Sequence, residues 1–276
     1  MKKLIDLHVH TTSSDGTCSP EEILKQAEEK GIYAISFTDH DTLHAYEKSY
    51  ETPLKILPGI EISTLFQGYN VHLLAYGFSP QNALLLSYCI KMQEKRQERA
   101  MAIGALLKKE GIAIEDEIRE EMHLHKAIGR PHIAALLIQK GFVKTMKEAF
   151  SRYLGGKALC YVSIDKLPLE EALLMVRKAG GKAVLAHPHL LPSKLDREEL
   201  LIRPFDGIEC FYGNFPEKNC LPWLKACEKK GLLPTGGSDF HGSCRPFAPL
   251  GISSTPEKSF EMLWKHYYGE HYCGQV

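Results

Sequence analysis

Asp6, His8 and His10 alternate with apolar residues in Leu4-Ile5-Asp6-Leu7-His8-Val9-His10. In an extended chain, residues i and i+2 share a face about 6.5–7 Å apart. Two imidazoles at that spacing can converge on one cation, with Asp6 accepting a hydrogen bond behind them. Taken alone, a His-x-His pair reads equally well as two hydrogen-bonded core histidines. The rest of the chain repeats the theme, however: Asp15 in Thr12-Ser13-Ser14-Asp15-Gly16, Asp39-His40-Asp41, Glu61 after Pro58-Gly59-Ile60, His72, Ala186-His187-Pro188, and Gly237-Ser238-Asp239-Phe240-His241. Left unpaired in a fold, each of these groups would carry a heavy burial cost, whereas shared coordination of cations satisfies them together. The residues predict a multinuclear metal site.

The clusters lie at the ends of short apolar runs that read as strands: 4–10, 34–38, 56–63, 71–77, 183–186, 207–211 and 233–237. Helices are signalled between them. Ser19-Pro20-Glu21-Glu22 supplies a cap, a Pro at the first helical position and a capping-box Glu, with Gly31 beyond the end. Thr255-Pro256 opens the last helix in the same way. The alternation implies a parallel sheet, and about seven units imply a (β/α) barrel of TIM-barrel type, whose strand C-termini open on one face. Residues 79–157 break the rhythm. Ser79-Pro80 is the expected cap of a helix running to Glu110, about 45 Å long at 1.5 Å per residue. Further helices are expected at 115–122, 131–140 and 146–154. The domain reading is a barrel of residues 1–78 and 158–276 carrying a helical insertion of 79–157. The mixed charges of 91–99 read as a solvated helix face.

Composition narrows the partners. The 276 residues hold 34 Lys+Arg against 34 Asp+Glu, a net charge of +0. That balance argues against a chain-wide grip on double-stranded DNA or an anionic membrane. With 44% hydrophobic and 25% charged residues, the chain reads as an ordinary globular protein. No apolar run reaches the roughly 18 residues a bilayer span requires. Asp6, His8 and His10 interrupt the stretch after Met1-Lys2-Lys3, so no signal peptide is expected. The 8 cysteines form no CxxC pair and read as reduced thiols, which implies a cytoplasmic setting.

In its order and spacing, the set His8-x-His10, Asp15, Thr38-Asp39-His40-Asp41, Gly59-Ile60-Glu61, His72, Ala186-His187-Pro188 and Gly237-Ser238-Asp239-Phe240-His241 resembles the PHP (polymerase and histidinol phosphatase) superfamily of metal-dependent phosphoesterases. Within it, Gly129-Arg130-Pro131-His132 and Tyr153-Leu154 with Tyr161-Val162 resemble the nucleoside 3′,5′-bisphosphate phosphatase and 5′–3′ exoribonuclease branch. The resemblance implies a distorted seven-stranded barrel holding three divalent ions. The first would take His8, His10, Glu61 and Asp239; the second would share Glu61 and add His72 and His187; the third would take Asp15, His40 and His241. Imidazole and carboxylate ligands without thiolate favour Mn²⁺, with Fe²⁺ or Zn²⁺ as alternatives, over Ca²⁺.

The implied chemistry is attack on phosphorus by a metal-bridged hydroxide held by Glu61, Asp239 and His187 with Asp15. Three such ions against three carboxylates leave roughly +3 in the pocket, enough to attract a phosphate dianion to a neutral protein. Arg130, just before Pro131 at a helix N-terminus, is the expected anchor for a second phosphate. His132, Arg245, His189 and Lys157 are further candidates for substrate contact. Relatives of this branch commonly carry Gly-Arg after the His-Pro pair, whereas His189-Leu190 stands here. His44, His123, His125, His266 and His271 lie outside the clusters and are expected to face solvent. The expected substrate is a phosphorylated small molecule or a short RNA end. The rival readings are hydrolysis of histidinol phosphate or another small monoester, a non-catalytic metal-binding scaffold, and carbon–nitrogen hydrolysis on a related barrel.

Overall fold

A computed structural model describes residues 3–271, except for the side chains of 270 and 271. The side chain of His271 therefore lies outside the described residues. Strands β1 (Leu4–Val9) and β2 (Ile32–Phe37) are connected by helix α1 (Pro20–Glu29). Ser19 caps α1 as expected: its hydroxyl accepts from the Glu22 amide at 3.2 Å, and its own amide donates to the Glu22 carboxylate at 2.7 Å. After β3 (Lys55–Ile56) come β4 (Gly59–Phe66) and β5 (Tyr69–Tyr76). Four helices follow: α2 (Ala83–Lys109), α3 (Glu115–Leu124), α4 (Arg130–Gln139) and α5 (Met146–Ala149), the last running into a π-helical turn. Strand–helix units then resume with β6 (Leu167–Pro168), α6 (Leu169–Lys178), β7 (Lys182–Leu185), α7 (Arg197–Leu200), β8 (Gly207–Tyr212), α8 (Glu217–Lys230), β9 (Leu233–Gly237) and α9 (Glu257–His271).

The described residues thus form nine strands in two sheets, ordered β1-β2-β3 and β6-β4-β5-β7-β8-β9, rather than seven strands in one closed parallel barrel. The sequence shows why. Pro58 has no amide to give a ladder, so the run expected at 56–63 divides into β3 and β4. Gln67 and Gly68, with φ of 50° and 78°, make a two-residue turn too short for a crossover helix, and β5 returns antiparallel to β4. β5 also runs antiparallel to β7, while the β7-β8-β9 pairs are parallel. No continuous ladder joins the sheets among the described residues, but single bonds link them at two seams. The Asp239 amide donates to the His8 carbonyl at 2.8 Å and the His10 amide to the Phe240 carbonyl at 2.9 Å, which sets β1 beside β9. The Asp41 amide donates to the Glu61 carbonyl at 3.0 Å, which sets the end of β2 beside β4.

Ile5, Leu7, Leu74, Tyr76 and Val184 from facing strands form one buried apolar cluster with Phe260 and Leu263 of α9. The helices between β5 and β6 have a cluster of their own, centred on Ile103, Leu107, Ile118, Leu137 and Leu154, all fully buried. The cap of α2 is Asn82, whose side chain accepts from the Leu84 and Leu85 amides at 3.1 and 3.3 Å, and not the expected Ser79. Ser79 instead accepts from the Asn82 amide in a turn that precedes the helix.

Candidate active site

The loop after β1 folds back on itself, and its geometry depends on glycine. A Cβ on Gly16 would lie 2.3 Å from the His10 carbonyl oxygen, and one on Gly237 would lie 2.4 Å from the His8 Cβ. Asp39 clamps this loop, accepting from the Thr11 amide at 2.8 Å, the Thr11 hydroxyl at 2.9 Å and the Ser14 hydroxyl at 2.6 Å. Asp41, His187 and Asp239 hold positive φ values of 55°, 24° and 54°. A side chain in that region is strained and persists only where its surroundings fix it.

These loops bring the nine candidate ligands together as three overlapping sets of nitrogen and oxygen donors. Within each set, the donor atoms lie within 4.8 Å of one another: His8, His10, Glu61 and Asp239; His10, Asp15, His40 and His241; and His40, Glu61 and His72. Glu61 is the centre. Its Oε2 lies 3.1 Å from His10 Nε2 and 3.0 Å from His40 Nδ1, and its Oε1 lies 2.7 Å from His72 Nδ1 and 2.8 Å from His187 Nε2. His241 Nε2 stands 3.2 Å from Asp15 Oδ1. Two details differ from the expected partition. His10 and His40 each belong to two sets, and His187 reaches Glu61 without joining any of the three.

The donor chemistry suits cations. His8 donates from Nδ1 to Glu209 at 2.8 Å, which leaves the Nε2 lone pair aimed at Glu61 Oε2 and Asp239 Oδ1, 3.3 and 3.4 Å away. Glu61 Oε2 and His40 Nδ1 are buried and face each other without hydrogen-bond geometry. Acceptors crowded in this way repel unless a proton or a metal ion lies between them. Burial alone would raise the carboxyls of Asp15, Glu61 and Asp239. The imidazoles of His241 and His40 around Asp15, of His40 and His72 around Glu61, and the Arg245 and His8 cations beside Asp239 reverse the sign and hold all three well below the usual carboxylate range. Burial likewise depresses His10, but its hydrogen bonds to Asp239 and Glu61 outweigh this and raise it to about 9. His40, where burial prevails, falls to about 3 and stays neutral. Three ionised acids and neighbouring imidazoles that release protons to a metal make a cation site.

Sequence reasoning missed several supporting residues. Glu209 both receives the His8 proton and accepts from the His187 amide at 2.7 Å. Its only signal was an acid inside the apolar run Gly207-Ile208-Glu209-Cys210. Tyr212 donates to Asp239 Oδ2 at 2.7 Å, alongside the Arg245 guanidinium. The 91–99 run is not a plain solvated face, because Arg96 is buried. Its Nε donates to Asp41 Oδ2 at 3.1 Å, and Asp41 also accepts from Tyr88 and from the Ser63 amide. Arg99 is half-buried without a carboxylate partner among the described residues, and burial with repulsion from Arg96 and Arg130 pushes it down to about 9. Burial, joined by Arg96, Arg99 and Arg130, pushes Lys166 down to about 8, and its ammonium donates to the Asn70 amide oxygen at 2.9 Å.

The expected substrate contacts divide. Arg130 is the first residue of α4, with its guanidinium 5.5 Å from the Phe150 ring and 5.6 Å from the Tyr161 ring, and it donates to the Leu154 carbonyl at 3.0 Å. His132 accepts from the Gly129 amide at 2.8 Å, capping its own helix, and stacks on His125 with centroids 4.2 Å apart. Arg245 is committed to Asp239. His189 lies in an aromatic cluster with Tyr212 and Phe215, and Lys157 is exposed. Two histidines expected to face solvent are engaged instead: His125 Nδ1 lies 3.0 Å from the Thr12 carbonyl and His266 Nε2 lies 2.6 Å from that of Gly180. His44 pairs with Glu47 at the surface, and His123 is exposed.

Known proteins share this arrangement. The chain is 28% identical over 273 residues to the 5′-3′ exoribonuclease Rnm of Escherichia coli, covering 95% of this chain and 93% of that protein. It is 32% identical over 247 residues to the 3′,5′-nucleoside bisphosphate phosphatase of Chromobacterium violaceum, covering 86% and 87%. Among solved structures, a protein of Bifidobacterium adolescentis, provisionally named a metal-dependent phosphoesterase, superposes with a TM-score of 0.87 at 29% identity over 96% of both chains. An amidohydrolase structure from Chromobacterium violaceum with bound sulfate and no metal superposes with a TM-score of 0.81 at 27% identity over 95% and 96%. The PHP domain model matches residues 6–153, more than half of the sequence, and the chain belongs to the PHP domain family.

Proposed function

We propose that this protein is a metal-dependent phosphoesterase that hydrolyses a phosphate ester of a nucleotide, with a nucleoside 3′,5′-bisphosphate or the 5′ end of a short RNA as substrate. The observation that carries this is the convergence of three donor sets on Glu61. Bound there, divalent ions (three by this reading, Mn²⁺ first) would acidify the attacking water and offset charge on the leaving oxygen. His8, His10, Glu61 and Asp239 would hold one, Glu61, His72 and His187 another, and Asp15, His40 and His241 the third. Glu61, Asp239 and His187, with Asp15, are the groups placed to orient the water.

The second phosphate belongs to the helical segment. Arg96 is neutralised by Asp41, so Arg99, Arg130 and Lys166 are the cations left uncompensated on that side. A phosphate dianion is the natural counterion for such a group. This supports reading 79–157 as a substrate cap and 1–78 with 158–276 as one distorted barrel, whose wall the β1–β9 bonds help to close. The names of the Escherichia and Chromobacterium relatives, and the sulfate in the Chromobacterium structure, agree with a phosphate-type substrate. No helix among the described residues is long and apolar enough to cross a membrane. The cytoplasmic setting implied by the thiols completes the proposal.

The test offers Mn²⁺-loaded protein a nucleoside bisphosphate, a 5′-phosphorylated short RNA and histidinol phosphate side by side, with Asp239→Asn as blank. Turnover of either nucleotide, absent in the blank, is the expected result. Turnover of histidinol phosphate alone, or undiminished activity in the blank, would overturn the reading.

A further inference from the structure

Against the Asp239 flank of the cage lies a cavity of about 570 Å³, lined by Leu190, Tyr212, Asn214, Phe215, Arg245 and Phe247 among others. We infer that this cavity is a nucleobase subsite, in which a purine or pyrimidine ring stacks on Phe247 and Phe215 while the phosphates lie toward the cage and Arg130. The inference rests on the phosphoesterase reading of the neighbouring cage and adds to it the part of the substrate that carries no charge.

Three observations carry it. The first is continuity: Tyr212 and Arg245 both line the cavity and both bond Asp239 Oδ2, so a ligand in the cavity touches the back of a candidate metal ligand. One molecule can therefore occupy both places. The second is charge. Arg245 is the only charged side chain in the lining, and its guanidinium is taken by Asp239, so no free cation is left to hold a phosphate there. The uncompensated cations Arg99, Arg130 and Lys166 lie instead with Arg96 on the helical segment and the strand that follows it, where Arg96 pairs with Asp41 beside His40. A substrate with one anionic and one neutral end is thus given an orientation. The third is surface chemistry. Phe247 is 70% exposed and Leu190 54%, so the apolar walls are not covered by the chain itself. Aromatic faces bind any base because every base presents a π-face. The exposed Asn214 amide can both donate to and accept from the ring edge of a base, which favours a site tolerant of base identity. The volume falls within the range of small-molecule pockets, about 300–1,000 Å³.

The experiment compares two substrates on the Mn²⁺-loaded protein: a nucleoside 3′,5′-bisphosphate and the same sugar bisphosphate without its base. The native chain is expected to favour the nucleoside in kcat/KM, and Phe247→Ala to reduce that ratio about ten-fold, the lower end of what one stacked base contributes. Phe247→Trp, which keeps an aromatic face, retains the ratio. A ratio unmoved by Phe247→Ala, or an equal loss on both substrates, overturns the subsite. Calorimetric titration with free adenosine reads the cavity without turnover: binding about ten-fold weaker in Phe247→Ala supports it, and no binding to the native chain overturns it. The two readings fail separately. Adenosine binding lost on substitution, with no phosphate ester hydrolysed, sinks the enzymatic reading and keeps the subsite. Bisphosphate turnover indifferent to the base does the reverse.

Discussion

Arg96 and Asp41 form a buried ion pair that ties the long helix α2 to the turn carrying His40. Asp41 holds positive φ, and its carboxylate also receives the Ser63 amide at 2.7 Å and the Tyr88 hydroxyl, so one side chain fixes helix, strand and turn together. Removing one partner of a buried pair leaves the other charge stranded, at about 3–5 kcal/mol. Arg96→Met is expected to destabilise the fold by that order in urea unfolding, and Arg96→Met with Asp41→Asn to recover most of it. Burial works against the Asp41 charge, but Arg96 outweighs it and holds the carboxyl well below the usual range. A depressed folded-state value means the stabilisation is present above about pH 4 and is lost as the pH falls further. The double variant should show a shallower acid limb; an unchanged limb would remove the pair from the account.

Glu209 fixes the tautomer of His8 from behind. Glu209→Gln is expected to lower Mn²⁺ affinity about 10–100-fold. Because the donors facing the ion remain, saturating metal should restore most of the turnover. Metal affinity by titration and kcat at excess metal check both halves, and a loss of kcat that excess metal does not repair would contradict the assignment.

Arg130 and Arg99 should discriminate by phosphate count. A charge-assisted bond contributes about 1.5–3 kcal/mol, so Arg130→Ala or Arg99→Ala should raise KM for a bisphosphate roughly 10–150-fold. A simple monophosphate, which leaves that subsite empty, should change little. Equal effects on both substrates would place the two arginines outside substrate binding.

Lys166 gives the pH dependence a sign. Burial and the neighbouring Arg96, Arg99 and Arg130 cations push it down to about 8, so the free enzyme loses this positive charge as the pH rises through that value. The kcat/KM for a bisphosphate is expected to fall above pH 8, by up to about ten-fold at pH 9. Lys166→Arg, whose guanidinium stays charged, should flatten that limb; a profile unchanged in the variant would assign the limb elsewhere.

Most of this centre was legible in the sequence because its polar residues stand out at the ends of apolar runs, where a buried His, Asp or Glu needs a partner. Strand positions were legible for the same reason. The connections were less so: Pro58 and the Gln67-Gly68 turn convert an expected parallel unit into an antiparallel hairpin, a choice made by two or three residues against a strong alternating pattern. Arg96 was hidden among solvent-facing charges of alternating sign, since nothing local distinguishes the arginine that turns inward to Asp41. His132 and Arg245 show the opposite error. Each lies beside a motif, yet one caps its own helix and the other pairs with a buried acid, partners that only the tertiary arrangement supplies.

Crystals soaked in Mn²⁺ and measured at the manganese absorption edge test the central claim most directly. The account predicts anomalous peaks about 2.0–2.3 Å from the donor atoms of His8, His10, Glu61 and Asp239, and from those of the sets that share Glu61 and Asp15. These peaks should vanish together with nucleotide hydrolysis in Glu61→Gln. Manganese bound elsewhere on the chain, with this cage left empty in an active protein, would contradict it.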